Sequence, residues 1–203
     1  MNTSICILDI ETTGFEPGDA EIVELFILKV NNEDIVDEFY SLFRPTIEIT
    51  NSHIHGITDE KVKNSPSFFE KTDEIINFIQ GSTLLGHNID NFDLKFLNYF
   101  LKQELKNNTI DTLNMSREKL GEKVKNHKLI TLAEYFNVVT PTHTAKDDVM
   151  TTFEVYKKLS SITPKMVKEL HQICGSRSPY VANRLVEYLR LFWNSFIKEE
   201  NNP

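Results

Sequence analysis

Three apolar segments near the start of the chain have the pattern of β-strands. Residues 4–10 form a short apolar run that ends beside acidic residues, and 21–30 is rich in Ile, Val, Leu and Phe. Residues 35–43 alternate loosely between apolar and polar positions. The Gly and Pro residues of 14–18 mark a turn between the first two runs. The N-terminal part of the chain is therefore predicted to form three consecutive strands.

Helical patterns dominate the sequence that follows. Helix-start signals occur at 58–60 and 65–67, and Gly81 ends the apolar stripe that follows the second of them. A brief strand is predicted at 82–86, and Asn107 and Asn108 are predicted to lie in a solvated loop. Further helices are predicted at 92–105, 112–120, 129–136 and 145–159. Strands followed by interleaved helices predict an α/β fold, with helices packed on a sheet.

Residues 161–203 are predicted to form a helical extension that follows a main domain of residues 1–160. Thr163 and Pro164 favour a helix start, since Thr caps helices and Pro fits the first turn. A second helix after Pro179 has a broad apolar stripe that includes Val181, Leu185, Leu189, Phe192 and Phe196. Such a stripe requires a cover, which is either the main domain or another subunit, such as a second copy of the chain.

Composition narrows the class of protein. The 203 residues are 40% hydrophobic and 26% charged, which is ordinary for a globular chain with one main domain. Two cysteines exclude a disulfide framework and a cysteine-based zinc site. No apolar run approaches the roughly 20 residues that span a bilayer, so no membrane contact is expected. The N-terminus lacks the features of a secretory signal, and a cytoplasmic location is expected.

The charge balance argues against a broad nucleic-acid binding track. The chain has 22 Lys and Arg residues against 30 Asp and Glu residues, a net charge of −8. Residues 163–203 contain six basic and four acidic residues, a net of +2, so the preceding residues have a net of −10. Proteins that hold long nucleic acids through their phosphates are usually basic. Any nucleic-acid contact is therefore expected to be short, local or metal-bridged.

Two acidic residues interrupt the end of the first predicted strand. Asp9 and Glu11 flank Ile10, and residues two apart on a strand point to the same face. Carboxylates that point the same way repel each other unless a cation or a shared proton relieves the repulsion. This spacing is compatible with a cation site, and a solvated strand end is the alternative that it leaves open.

Asp93 lies on the apolar face of a predicted helix. Phe96 and Leu97 follow it at helical spacing, so its carboxylate is directed towards the core. An acid in this position is costly unless it is paired or metal-bound. Capping of the helix N-terminus is the alternative, because Asp is a preferred N-cap residue.

Asp148 is the candidate among the acids of the last helix in the main domain. It shares its face with Val155, whereas the adjacent Asp147 shares a polar stripe with Glu154 and is expected at the surface. His143 precedes Asp148 by five residues, in a turn, where it is a candidate proton acceptor. Carboxylates are ligands of hard cations such as Mg²⁺. Two such ions about 3.5–4 Å apart can stabilise an in-line phosphoryl displacement.

Three segments resemble the motifs of the DnaQ-like 3′→5′ exonucleases of the DEDDh group. Residues 9–14, Asp-Ile-Glu-Thr-Thr-Gly, are similar to the first motif. His87-Asn88 with 92–97, Phe-Asp-Leu-Lys-Phe-Leu, is similar to the second, and 143–148, His-Thr-Ala-Lys-Asp-Asp, is similar to the third. The segments 54–58 and 110–113 also match recurrent family segments. The similarity extends from about residue 4 to residue 159, in the family's order.

The resemblance implies an RNase H-like mixed sheet flanked by helices, with two divalent cations, Mg²⁺ or Mn²⁺. It implies that these cations are held by Asp9, Glu11, Asp93 and Asp148. His143 would be the general base. The pocket for the terminal nucleotide would be lined by Thr12, Ile54, His55 and Phe92. Simple packing is the alternative for His55 and Phe92. Three residues separate the two halves of the second motif, where the family usually has two, so Asp90 is an alternative to Asp93.

The sequence favours a metal-dependent 3′→5′ exonuclease that acts on single-stranded DNA ends in proofreading or repair. An exoribonuclease similar to RNase T or oligoribonuclease is the alternative, because no residue indicates a contact with a ribose 2′-OH. The Thr-Thr-Gly segment at 12–14 is more similar to polymerase-associated members, so a polymerase is a further candidate for the subunit that covers the apolar stripe of residues 161–203. A non-catalytic interaction module is disfavoured, because the acids and His143 are all present.

Overall fold

The computed structural model describes residues 4–162, which contain a five-stranded mixed sheet. β1 (Ile5–Thr12), β2 (Ile22–Asn31) and β3 (Asp34–Leu42) are antiparallel neighbours. β4 (Thr83–Gly86) pairs in parallel with β1, and β5 (Thr109–Asp111) pairs in parallel with β4. The strand order is β3-β2-β1-β4-β5, so β1 is the central strand. The three N-terminal strands and the brief fourth strand predicted from the sequence are confirmed.

Helices accompany the sheet through the rest of the described residues. They are α1 (Ser52–His55), α2 (Asp59–Val62), α3 (Thr72–Ile79), α4 (Asp93–Leu101), α5 (Thr112–Leu120), α6 (Leu129–Phe136) and α7 (Ala145–Ser160). A single 3₁₀ turn, Phe68–Lys71, leads into α3, and another, Gly121–Lys123, follows α5. The predicted α/β class is confirmed. Within residues 4–162, no helix has both the length and the apolar character that a bilayer crossing requires.

Some elements differ from the sequence prediction. α4 ends four residues earlier than the predicted 92–105, because Lys102 adopts a left-handed conformation with φ 54° and its N–H bonds to the carbonyls of Asn98 and Tyr99. The sequence did not predict α1 or β5, which have only four and three residues. The predicted helices beyond residue 162 lie outside the described residues.

One face of the sheet packs against α3 and α4. Its core contains alternate residues of the central strands, Leu8, Ile10, Leu25 and Ile27, with Ile75, Ile79, Phe96 and Phe100 from the two helices. Alternation along a strand directs these side chains to a single face. The other face is therefore free to receive a different helix.

The opposite face packs against α7. Ile7 of β1 and Phe26 of β2 contact a stripe of α7 at four-residue spacing, formed by Ala145, Val149 and Phe153. Asp9 and Glu11 continue the Ile7 row on this face of β1. Since Ala145 is the first residue of α7, the N-terminal turn of the helix meets the end of β1.

The loop before β5 is tied to the sheet by a side-chain amide. The Nδ2 atom of Asn107 donates to the carbonyl oxygens of Ile79, at 2.9 Å, and Ser82, at 2.8 Å. The predicted loop at Asn107 and Asn108 is confirmed, and Asn108 is exposed, but the side chain of Asn107 is part-buried and bonded within the protein. These bonds hold the entrance to β5 against the end of α3 and the start of β4.

We expect Asn107→Ala to lower the free energy of unfolding by about 1–2 kcal/mol, since two carbonyl groups lose their side-chain donor. The neighbouring Asn108→Ala is the matched control, and its effect should stay within about 0.5 kcal/mol. Urea denaturation followed by circular dichroism measures both values. An equal decrease in the free energy of unfolding in both variants would contradict a stabilising role of the Asn107 side-chain hydrogen bonds.

Candidate active site

Three carboxylates converge where β1 ends and α7 begins. One carboxylate oxygen from each of Asp9, Glu11 and Asp148 lies within 4.8 Å of the other two, and all three side chains are half-buried. Asp9 and Glu11 extend from the same face of β1, as their spacing predicts. Asp148 belongs to the first turn of α7. The packing of α7 on the sheet therefore brings together acids that are far apart in the sequence.

A β-bulge follows Glu11. Glu11 lies opposite Glu24 of β2, and the register then shifts so that Thr12 pairs with Ile22. Bulges accentuate the twist of a strand and redirect its side chains. At this position the bulge separates the acidic row on β1 from Thr12.

Asp93 is the most deeply buried of the predicted acids, with 2% of its surface exposed. It is the first residue of α4, and Phe92 occupies the N-cap position without a side-chain cap bond, so the capping alternative for Asp93 is wrong. Its Oδ1 atom has no hydrogen-bond partner. Burial raises the pKa of Asp9, and the charge of Asp93 is the next cause, so the two acids interact electrostatically. A buried oxygen without a partner is costly unless a proton or a cation reaches it.

The turn between β4 and α4 accommodates the additional residue of the second motif. Asn88 adopts a left-handed conformation, with φ 67°, and its carbonyl accepts the amide of Phe92 at 3.1 Å. The amide of Asn88 donates to Asp111 Oδ1 at 2.9 Å, which fixes the turn. Asp90 is exposed and Asp93 is buried. Burial therefore distinguishes Asp93 from Asp90, although Asp93 is not part of the group whose oxygens converge within 4.8 Å.

Burial and mutual repulsion raise the pKa values of the clustered acids. Desolvation is the largest cause for each of them. The pKa of Glu11 rises to about 8, with the charge of Asp148 as the next cause, and the pKa of Asp93 rises to about 7. Desolvation also raises the pKa values of Asp9 and Asp148, although His143 opposes the shift of Asp148. Near neutral pH, the cluster therefore requires bound protons or bound cations.

The loop that precedes α7 is fixed by Asp148. The amides of Thr142 and His143 donate to the same oxygen, Asp148 Oδ1, at 3.2 and 3.3 Å. His143 adopts φ 61°, a left-handed conformation that is unfavourable for residues other than glycine. These two bonds help to stabilise that conformation, and His143 is exposed beside the cluster. Asp147 is exposed, as expected, and it accepts a hydrogen bond from the Thr142 hydroxyl.

Two of the four predicted nucleotide-pocket residues are connected through Asn51, which the sequence reasoning missed. Asn51 Nδ2 donates to the backbone carbonyl of Thr12 at 2.8 Å, and its Oδ1 lies 3.3 Å from His55 Nε2. His55 Nδ1 accepts the amide of Ile57 at 3.1 Å, so Nε2 carries the proton of the neutral ring. Both ring nitrogens of His55 are therefore engaged within the protein.

The other two predicted pocket residues lie in different environments. The side chain of Ile54 is 43% exposed, so it is accessible to a ligand. Phe92 is partly buried at the start of α4, and its ring centroid lies 5.1 Å from that of Phe96. Phe92 therefore makes packing contacts, which were the alternative to a nucleotide contact in the sequence analysis. Nucleotide contacts by these residues stay predictions.

The sequence reasoning also missed Glu24, which is 5% exposed on β2. Its Oε1 accepts the hydroxyl of Tyr40 at 3.0 Å, and its Oε2 accepts the amide of Ala145 at 2.9 Å. The sequence feature that could have identified Glu24 is its position as an acidic residue inside the apolar run 21–30. Its partners were not accessible from the sequence, because they depend on strand register and on the docking of α7.

The donor set fits a hard divalent cation. The convergent side chains provide carboxylate oxygens, which Mg²⁺ and Mn²⁺ prefer. Asp93, which lies outside the group that converges within 4.8 Å, has an unpartnered buried oxygen that is a further candidate donor. The residues that could hold such ions are thus Asp9, Glu11, Asp93 and Asp148.

Comparison with known proteins identifies the family. A model of the family described as exonuclease matches residues 6–156. The chain belongs to this exonuclease family. PolC-type DNA polymerase III of Caldanaerobacter subterraneus subsp. tengcongensis is 35% identical over an alignment of 181 residues that covers 84% of this chain and 13% of the relative. The PolC-type enzyme of Bacillus subtilis is 31% identical over an alignment of 190 residues that covers 88% of this chain and 13% of the relative. The chain thus spans about 13% of the length of these relatives.

Solved structures show the same fold. E. coli exonuclease I in complex with a dT13 oligonucleotide superposes with a TM-score of 0.71 at 16% identity, covering 83% of this exonuclease-family chain and 43% of the other. A zinc-bound complex of the same enzyme with single-stranded DNA gives a TM-score of 0.69 at 15% identity, covering 84% and 43%. The predicted RNase H-like sheet with flanking helices and the resemblance to DnaQ-like exonucleases are confirmed.

We expect the stability of the metal-free protein to fall as pH rises through the range from about 4.5 to about 8. The folded-state pKa of Glu11, about 8, lies above its ordinary value of 4.5, so the folded state binds more protons than the unfolded state in this range. Glu11→Gln should flatten this dependence, as measured by urea denaturation in EDTA at several pH values. Glu16→Gln, in an exposed loop, is the control. An unchanged pH dependence in Glu11→Gln would contradict the electrostatic description.

Proposed function

We propose that this chain is a metal-dependent 3′→5′ exonuclease that releases nucleotides from single-stranded DNA ends. The observation that carries the proposal is the convergence of Asp9, Glu11 and Asp148 within 4.8 Å. The unpartnered oxygen of the buried Asp93 is a further candidate donor. A cluster of this kind, in a chain of the exonuclease family, supports phosphodiester hydrolysis.

Each group has a separate part in the proposed reaction. Two divalent cations, Mg²⁺ or Mn²⁺, bound by the four acids would supply positive charge to the attacking and leaving oxygens. His143 accepts a proton from the attacking water, and Asp148 holds the loop that presents it. The terminal nucleotide is bound by Thr12, Ile54, His55 and Phe92. The Asn51 bond to the carbonyl of Thr12 fixes the backbone on that side of the site.

DNA is the substrate that the comparisons favour. The relatives are DNA polymerases, and exonuclease I has been solved with single-stranded DNA oligonucleotides. A polymerase is accordingly the protein partner we propose. The net charge of −10 before residue 163 favours short contacts at a strand end, so we expect distributive digestion by the isolated protein.

Digestion of labelled oligonucleotides tests the function. We expect a 5′-labelled DNA strand to give a ladder of shortened products with Mg²⁺ or Mn²⁺, and no products in EDTA. A 3′-labelled strand should release labelled mononucleotide first. An RNA strand of the same sequence is compared in parallel, and faster digestion of RNA would establish the exoribonuclease alternative instead. Digestion of neither strand with either metal would refute the proposed function.

A matched pair of adjacent acids tests the assignment of the site. We expect Asp148→Asn to abolish measurable turnover and to leave the far-UV circular dichroism spectrum unchanged. The substitution removes one charge from a repulsive cluster, so the metal-free variant should be at least as stable as the wild type. Asp147→Asn, one residue away and exposed, should keep most of the activity. The opposite result, with activity lost only in Asp147→Asn, would show that the wrong acid was assigned.

A further inference from the structure

Glu24 is a buried acid next to the cluster whose two oxygens are both engaged. It lies opposite Glu11 in the β1–β2 register and is 5% exposed. Tyr40 of β3 donates its hydroxyl to one oxygen, and the backbone of Ala145 donates its amide to the other. Burial, followed by the charge of Glu24, raises the pKa of Tyr40 to about 12, so its hydroxyl remains a donor at neutral pH. Glu24 is not part of the group whose oxygens converge within 4.8 Å.

The amide that Glu24 accepts belongs to the first residue of α7. Amides in the first turn of a helix have no partner within the helix, and a carboxylate is favourable there because of the helix dipole. Thr144 supplies the other contacts of this turn: its hydroxyl accepts the amide of Asp147 and its carbonyl accepts the amide of Asp148. Glu24 is the contact that ties this turn to the sheet through a buried hydrogen bond.

The contacts that Lys146 makes between this turn and the sheet are weaker. Its Nζ lies 3.6 Å from Glu38 Oε2 on β3, where both side chains are more than half exposed, and 5.3 Å from the centroid of the Phe26 ring on β2. Exposed ion pairs of this kind contribute about 0–1 kcal/mol. The geometry of the first turn of α7 therefore depends mainly on Glu24 and on the apolar contact of Ala145.

We propose that Glu24 is a positioning residue, which sets the distance from Asp148 and the His143 loop to Asp9 and Glu11 by holding the first amide of α7. This inference rests on the proposed function of the acidic cluster. Ala145 lies two residues after His143 and three before Asp148, so a shift at its amide moves both groups together. Glu24 acts through these residues and does not itself contact the substrate.

Substitutions at Glu24 separate its hydrogen bonds from its charge. Glu24→Ala removes both bonds. Glu24→Gln can keep both, since its oxygen can accept the Ala145 amide while its amino group donates to the oxygen of Tyr40. Tyr40→Phe removes one bond at a half-exposed position, and it serves as the test if Glu24→Ala does not fold. Glu38→Ala, which removes the exposed contact to Lys146, is the matched control.

We expect Glu24→Ala to lower kcat on the order of 10- to 100-fold, with little change in KM for DNA, because a small displacement of a reacting group has an effect of this size. Mn²⁺ binding, followed by electron paramagnetic resonance, should weaken. Amide hydrogen exchange at residue 145 should accelerate. Tyr40→Phe should show the same changes to a smaller extent, and Glu24→Gln should keep a larger share of the rate than Glu24→Ala. Glu38→Ala should resemble the wild type.

The inference is overturned if Glu24→Ala folds and keeps the wild-type kcat, Mn²⁺ affinity and exchange at residue 145. If Glu24→Ala does not fold, the same result in Tyr40→Phe overturns it. A Glu24→Gln variant that is as impaired as Glu24→Ala also overturns it, because charge would then matter more than the hydrogen bonds. Mn²⁺ binding and amide exchange do not depend on nuclease activity. An inactive wild type would therefore refute the proposed function while leaving this inference testable.

Discussion

Repulsion among buried carboxylates is the constraint around which this domain is arranged. Asp9, Glu11, Asp93 and Asp148 lie close together in a partly desolvated place, which raises the pKa of each. Apolar packing of the elements that carry the acids offsets this repulsion and keeps the carboxylates in place. Repulsion within the metal-free site thus lowers the free energy of unfolding, and bound cations relieve it. Such a loss of stability is common at functional sites.

Each face of the sheet holds one of the two helices that carry acids of the site. α4 is held by the core that contains Phe96 and Phe100, and α7 is held by the opposite core that contains Val149 and Phe153. Each helix begins with an acid of the cluster in its first turn, Asp93 in α4 and Asp148 in α7. The acids therefore approach the end of β1 from helices that pack on opposite faces of one sheet. A change in either core would alter the separation of the carboxylates as well as the stability.

Local features of the sequence were sufficient for the parts of the site that depend on periodicity. The alternation of β1 places Asp9 and Glu11 on one face, and the helical spacing of α7 distinguishes Asp148 from Asp147. Features that depend on pairing between distant segments could not be predicted in this way. The contacts of Glu24 require both the β1–β2 register and the docking of α7. Similarly, β5 is too short to have a pattern of its own, and the tie made by Asn107 joins segments that are far apart in the sequence.

The bond between Glu24 and Ala145 limits which residues position 145 can accept. Proline is favoured at the first position of a helix because the amide there has no partner within the helix. Here that amide is committed to a buried carboxylate, so proline would leave Glu24 Oε2 without its donor. Ala145 itself is fully buried, which also restricts position 145 to a small side chain. Ala145→Pro is therefore expected to destabilise this fold, although proline is generally favourable at the first position of a helix.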